Sequence, residues 1–323
     1  VKAKSPGLRE RALQARRAHP FFRIGVPLLS LLYLATIKAL GGLGPEHVAL
    51  VLLALGFAFW SDGSRRIARV VYPFLLWALV YDSMRWYADL IRSPVIHVRE
   101  PYAFDLRFFG IHTPQGILTP SEWLQIHTSK ALDLVCGLGY TPFFFIGESV
   151  VLALYLFAKG QARVAERFAW VFACANFLGF SLYYVYPAAP PWYVAAHGFL
   201  PDLSVHASPA GAIRFDHLVG LPIMQGFYGK SADVFGAIPS LHVVYPLLAL
   251  IYGFHLPRFR VVAVFYFFLV CFSAVYLNHH YLLDLLVGYT DALLVMAVFR
   301  LALGPVVPTS EPSPEPQPHR VPA

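Results

Sequence analysis

The sequence predicts an all-α, polytopic membrane protein with about eight transmembrane helices, and three observations carry that prediction. Of the 323 residues, 58% are hydrophobic and 13% charged, where an ordinary soluble domain has about a quarter charged. The apolar residues gather in runs near the roughly 20 residues that a bilayer-spanning helix needs. The basic residues, 25 against 18 acidic for a net +7, cluster at the ends of those runs, which is the pattern of topology signals and gives no nucleic-acid surface. With a mean hydropathy of +0.58, an ordinary soluble enzyme is excluded. Cys136, Cys174 and Cys271 all lie inside apolar stretches, where cysteine behaves as a small hydrophobe. They form neither a disulfide framework nor a cysteine metal site.

In chain order, residues 1–21 form a basic leader with Lys2, Lys4, Arg9, Arg11, Arg16 and Arg17. No small-residue cleavage signature precedes the first apolar run, so a retained cytoplasmic arm is expected; surface affinity for anionic lipid is an alternative use of the same charges. Helices are predicted at about 22–41, 46–61, 67–91, 132–158, 165–187, 239–255, 260–278 and 281–303. The second has a short apolar core. Residues 22–66 thus hold two accessory helices, and 67–304 a six-helix catalytic membrane domain. From about Pro305 to Ala323 the chain is rich in proline, serine and glutamate and reads as a disordered tail. Between helices three and four, SEWLQIHTSKALDL is expected to lie along the membrane surface, with Ser121 as its cap.

Orientation follows from the short loops. Arg65, Arg66 and Arg69 separate helices two and three; Lys159, Arg163 and Arg167 separate four and five; Arg258 and Arg260 separate six and seven. With eight spans these all fall on one side, and by the positive-inside rule that side, with both termini, is cytoplasmic.

Two polar clusters then meet at the opposite face. In GAIPSLHVVYP, Pro239, Ser240 and His242 open helix six; in NHHYLLDLLVG, His279, His280 and Asp284 open helix eight. Ionisable groups at the ends of apolar helices are costly and mark function. His280 and Asp284 are four apart and share a helix face, so the carboxylate can hold one imidazole nitrogen while the other points away. Such an imidazole is a nucleophile or base, and His242 can supply the complementary acid. Proline in the first turn costs no helical hydrogen bond, and the free amides there, with the Ser240 hydroxyl, suit a phosphate. At the end of helix three, Arg85 and Arg92 are seven apart and can clamp phosphate oxygens; the competing reading is local pairing with Asp82 or Asp89. Lys230 is a further phosphate ligand or a solvated loop lysine. His279, about 100° from His280 on a helix, is an accessory group.

These residues resemble the type 2 phosphatidic-acid phosphatase superfamily. Pro239 to His242, PSLH, is similar to its PSGH element, and Ser273, His280 and Asp284 reproduce the spacing of its S-R-x5-H-x3-D element. Within it, GAIPSLH, LNHHYLLD and YPAAPPWY (Tyr186 to Tyr193) resemble the branch that contains inositol-phosphorylceramide synthase. The resemblance implies a six-helix phosphatase-type core and a metal-free, cofactor-free phosphoryl transfer. It further implies that His280 attacks phosphorus to give a phosphohistidine, that Asp284 orients His280, that His242 protonates the leaving oxygen, and that Ser240 and Ser273 hold phosphoryl oxygens. Leu241 stands in place of the PSGH glycine and Ala274 in place of the arginine, and Arg85 and Arg92 only echo K-x6-R-P, with Ser93 before Pro94.

The expected partners are a membrane lipid phosphate or phospholipid donor and a lipid, polyol or water acceptor, with no nucleic acid. The acceptor separates a transferase, which the branch resemblance favours, from a lipid phosphatase. Two other classes stay open at this point: a zinc or iron site built on the same histidines, and a transporter or channel with a His/Asp proton path. The expected setting is a bacterial inner membrane with the site facing the periplasm. YPAAPPWY is expected to form a rigid wall at the lipid entrance.

Overall fold

A computed structural model describes residues 19–229 and 233–306. The basic leader up to Ala18, Lys230 and the tail beyond Val306 lie outside the described residues.

The chain runs through α1 (Val26–Ala39, preceded by a π turn Phe21–Gly25), α2 (Pro45–Phe59) and α3 (Asp62–Ile91). A connecting segment then carries α4 (Arg99–Phe109), the hairpin β1 (Ile111–Thr113) and β2 (Gly116–Leu118), and α5 (Pro120–Gln125). After α6 (Lys130–Gly139), α7 (Pro142–Ala158) and α8 (Ala162–Val185), a second segment holds α9 (Pro191–His197), α10 (Ile213–Val219) and α11 (Ile223–Tyr228). The chain closes with α12 (Leu241–Gly253), α13 (Pro257–Tyr276) and α14 (Leu282–Leu303).

Among the described residues six stretches are long and apolar enough to cross a membrane: Phe21–Ala39, Asp62–Ile91, Lys130–Ala158, Ala162–Val185, Pro257–Tyr276 and Leu282–Leu303. The other two expected spans, Pro45–Phe59 and Leu241–Gly253, are shorter apolar helices, so six of the eight expected spans have that length. The fourth expected helix is also broken. Thr141 takes an extended conformation before Pro142, as a residue preceding proline does, which leaves α6 and α7 as two pieces.

Two boundaries move for capping reasons. Ser61 and Ser64 form a reciprocal cap (Ser64 N to Ser61 Oγ, 3.0 Å), so α3 begins at Asp62, and Arg65 and Arg66 sit in its first turns instead of in a loop. Thr119, not Ser121, caps α5, its hydroxyl accepting from Glu122 N. Ser121 is buried and donates to Asn278 Oδ1 at 2.6 Å.

The bundle is held mid-span by Asn176 on α8, whose Oδ1 accepts from Trp77 Nε1 of α3 (2.7 Å) and Tyr245 OH of α12 (2.8 Å). Each such bond between apolar helices contributes about 0.6–2 kcal/mol. Aromatic packing of Phe74, Trp77, Phe168, Phe172 and Tyr245 fills the space around it.

The two ends of the bundle are distinct. At one, Arg167 at the start of α8 donates to the carbonyls of Phe299 (3.2 Å) and Gly304 (3.1 Å) at the end of α14. Arg69 of α3 lies 4.0 Å from Glu166, and α13 opens with Arg258 and Arg260. At the other, Ser93 N after α3 donates to Tyr184 O at the end of α8 (2.8 Å), and both connecting segments gather there. They are stitched to each other through Ala188, which pairs with His97 on one side and Gly236 on the other. Successive long helices therefore alternate in direction, and the short basic loops share the end opposite the connecting segments.

Candidate active site

Three helix ends converge under the connecting segments: the start of α12, the end of α13 and the start of α14. The turn between α13 and α14 is set by Asn278, whose φ of +62° is the left-handed conformation that asparagine tolerates better than other non-glycine residues. His279 N and His280 N then both donate to Ala274 O, at 3.1 and 3.0 Å. Asn278 O accepts from Trp192 N at 3.1 Å, tying α9 to the turn. Next door, α14 and the entry to α12 approach backbone to backbone. Ser240 N donates to Asp284 O at 2.9 Å, and a Cβ on Gly288 would lie 2.5 Å from Ser240 O, so only glycine fits there.

The result is a linear polar chain. His280 Nδ1 lies 3.1 Å from Asp284 Oδ2, which also accepts from Tyr281 N at 3.0 Å. His280 Nε2 lies 3.0 Å from His242 Nδ1, and His242 Nε2 lies 3.4 Å from Tyr228 OH. With Asp284 as a carboxylate accepting Nδ1–H, the His280 Nε2 lone pair points at His242. Each nitrogen of His242 in turn faces a group able to accept its proton, because Tyr228 directs its own hydroxyl proton to Tyr140 O at 2.9 Å. His280 is buried in the turn between the helices, and that burial pushes its imidazole below its usual range. The neutral, nucleophilic form is therefore favoured. His279 is held separately, its Nε2 donating to Pro209 O at 3.1 Å.

Asp105 on α4 is fully buried, and its two carboxylate oxygens accept from Leu282 N (2.8 Å) and Leu283 N (3.0 Å). It caps the first turn of α14, where the preceding Tyr281 makes no side-chain cap, and so fixes the helix start that carries Asp284. Burial raises its carboxyl to about 6 against the pull of those two amides.

Two cavities meet at this chain. The smaller, about 90 Å³, includes Trp192, Ser208, Asp233, His242, His279 and His280 in its wall. The larger, about 410 Å³, runs along α3, α7, α8 and α12 past Trp77, Tyr81, Phe145, Phe180 and Leu241. Tyr228, Asp233, Gly236 and His242 belong to both. The larger is mainly apolar. Pro190 and Trp192 of the YPAAPPWY stretch line the smaller cavity, beside the histidines.

The expected phosphate ligands separate into groups. Arg85 borders the larger cavity but is half-exposed and ion-paired with Asp82. Arg92 borders neither; it donates to Asp89 (2.6 Å) and Asp233 (3.2 Å). Carboxylates three residues back along the helix pair with both guanidiniums, which for Arg85 is the competing reading of the sequence. Burial raises the Asp233 carboxyl, while the Phe235 amide and Arg92 draw it back. Ser240 Oγ is buried beside the histidines with no hydrogen-bond partner among the described residues. Ser273 is buried too, but lies against Cys136 of α6 and lines neither cavity. Lys230 lies outside the described residues. No three His, Cys, Asp or Glu side chains among the described residues converge as metal ligands; the histidines and Asp284 form a chain instead.

Sequence reading missed Asn278, Asp105, Tyr228 and Asp233. Only Asn278 had a local signal, an asparagine directly after a helical run; the others are brought in by the connecting segments.

A buried Asp–His–His chain at a helix-bundle end, between a polar and an apolar cavity, defines an integral membrane enzyme of the phosphotransferase and lipid phosphatase class. The chain belongs to the PAP2 superfamily, which matches residues 115–298. It is 34% identical over 281 residues to the phosphoinositol dihydroceramide synthase of Bacteroides thetaiotaomicron, covering 86% of this chain and 91% of that protein. It is 35% identical over 258 residues to the inositol phosphorylceramide synthase of Candida albicans, covering 77% of this chain and 51% of that one. With the inositol phosphorylceramide synthase catalytic subunit AUR1 of Saccharomyces cerevisiae the identity is 30% over 258 residues, covering 79% and 62%. The chain thus spans between half and two thirds of these fungal relatives. No solved structure matches it.

Proposed function

We propose that the protein transfers a phosphoinositol group from an inositol phospholipid to a ceramide-type lipid alcohol. The observation that carries this reading is the meeting of a polar and an apolar cavity at His242, with His280 in the wall of the polar one alone. Lipid chains belong in the larger cavity and the head group in the smaller, so that donor and acceptor lipids exchange in one place while the transferred group stays beside its carrier.

In the first half-reaction His280 Nε2 attacks phosphorus, the bond from phosphorus to the diacylglycerol oxygen breaks, and His242 gives that oxygen its proton. In the second, His242 takes the proton of the acceptor hydroxyl, which attacks phosphorus and releases His280. Asp284 holds His280 in the required tautomer. The entering phosphoryl group replaces the 3.0 Å contact between the two imidazoles. Ser240 and the first amides of α12, which have no partner within the helix, receive the phosphoryl oxygens. Arg85, which borders the larger cavity, and Lys230, which precedes the His242 helix in sequence, supply positive charge to the phosphate, with Ser273 supporting the α13 end.

α3 to α14 make up the catalytic unit and α1 and α2 are accessory; the family match lies wholly within that unit. The basic loops at the far end support a site on the outer face of the membrane, and in a bacterium that face is periplasmic.

The deciding experiment incubates the full chain in detergent with an inositol phospholipid and a ceramide and identifies products by mass. Phosphoinositol ceramide with equimolar diacylglycerol is expected. Release of inositol phosphate to water, with ceramide unchanged, would assign the site to a phosphatase.

A further inference from the structure

The accessory helices α1 and α2 pack against the end of α3 that carries Arg85, and the transfer chemistry above gives them no part. The turn that joins them is fitted to α3, since a Cβ on Gly42 would run into the Trp86 indole. His47, in the first turn of α2, is 1% exposed, a depth at which a polar side chain needs partners. Its Nδ1 accepts from Gly44 N at 2.9 Å, which places the ring proton on Nε2, and Nε2 lies 2.9 Å from Asp82 Oδ2 on α3. Glu46 Oε1, 3.4 Å from Nδ1, belongs to an exposed side chain. Tyr33 of α1 packs its ring 6.0 Å from the imidazole. One carboxylate thus joins the accessory helices to α3.

The other oxygen of that carboxylate serves the site. Asp82 Oδ1 is paired with Arg85 Nη2, and Arg85 Nε donates to Asp82 O at 2.9 Å. A guanidinium presents its N–H donors in one rigid plane, so these two bonds fix its orientation. The Arg85 side chain is 52% exposed and borders the larger cavity beside Tyr81, Met84 and Leu241. A cation on the rim of a mainly apolar cavity fits an amphiphile whose chains lie inside and whose phosphate stays at the edge. Asp82 would mask that cation if both of its oxygens closed on it, as a carboxylate and a guanidinium readily do. His47 engages Oδ2 and keeps the pair to one oxygen. His47, Asp82 and Arg85 all precede residue 115, where the family match begins.

We propose that His47 is a positioning residue for the donor lipid: by holding Asp82 it sets Arg85 at the rim of the larger cavity, where the guanidinium captures the phosphate of the incoming phospholipid before His280 attacks. This rests on the phosphoinositol-transfer reading and adds that an accessory helix tunes how the donor is bound.

The test follows diacylglycerol release from an inositol phospholipid by the full chain in detergent, with ceramide as acceptor, and reads donor KM, ceramide KM and kcat separately. His47→Ala is expected to raise the donor KM about fivefold, with kcat and ceramide KM within about twofold of wild type. His47→Gln, whose amide nitrogen reaches the place of Nε2, returns the donor KM to within about twofold of wild type. Arg85→Gln raises the donor KM by about tenfold or more, and adding His47→Ala to it changes nothing further, because both act through one contact. A donor KM unchanged in His47→Ala, an equal further rise on the Arg85→Gln background, or parallel losses in kcat and both KM values would overturn the positioning role while wild-type transfer stands. A wild-type chain that releases no diacylglycerol would overturn the transfer reading, and this inference with it.

Discussion

The two ends of this bundle both carry charged and polar side chains, but they use them in opposite ways. At the basic end, Arg167 tacks α8 to the last carbonyls of α14, and Arg65 reaches Ala58 O at 3.1 Å. These bonds close helix ends over short loops. At the histidine end, the connecting segments are long and Asp284, His280 and Asp105 are all withdrawn from solvent. Arg167, which ties two helix ends together, stays partly exposed. The histidine-end groups are lined up and buried at greater cost.

The comparison breaks most sharply at His280. His280→Ala is expected to lower turnover by about a thousandfold or more, with detergent elution and melting temperature kept near wild type; activity within tenfold would remove the nucleophile assignment. His242→Ala follows, with a loss of about a hundredfold or more. A donor whose leaving group needs no proton should recover much of that loss, and a uniform deficit would mean that His242 is not the acid.

Asp105 sharpens the comparison through pH. Its carboxyl is raised from 3.8 to about 6 by burial, so the folded chain holds the proton more tightly than the unfolded chain, and ionisation weakens the fold as pH climbs through that window. The stability of wild type relative to Asp105→Asn is therefore expected to fall between pH 4 and about 6 and to level off above it. Melting temperatures across the range decide this, and a constant difference would contradict the burial argument. The smallest effect belongs to the basic end. Arg167→Ala removes hydrogen bonds at a partly exposed site, for about 1 kcal/mol and a few degrees in melting temperature, with turnover per folded molecule unchanged. A large loss of turnover there would show that the two ends are not separable.

Much of the arrangement was legible beforehand because its signals are local. Apolar runs, the basic loops, and the four-residue step from His280 to Asp284 all follow from helical geometry. The shortened α2 and α12 and the break at Thr141 show where that reading gives way, since proline, capping serines and close helix approach override hydropathy. Arg85 and Arg92 teach the same lesson. A seven-residue spacing places two guanidiniums on one face, but carboxylates at three-residue spacing reach them first.

The sequence alone determined a membrane-embedded helical bundle, its basic side, and an imidazole–carboxylate pair at the start of the last helix, because each depends on residues within a turn or a span of one another. Only the tertiary structure decided that His242 meets His280 nitrogen to nitrogen across 38 residues, that Asp105 caps α14 from 177 residues away, and that Asp233 stands between two cavities. Those contacts are made by irregular connecting segments, whose course is set by scattered backbone hydrogen bonds and not by any repeating pattern of side chains.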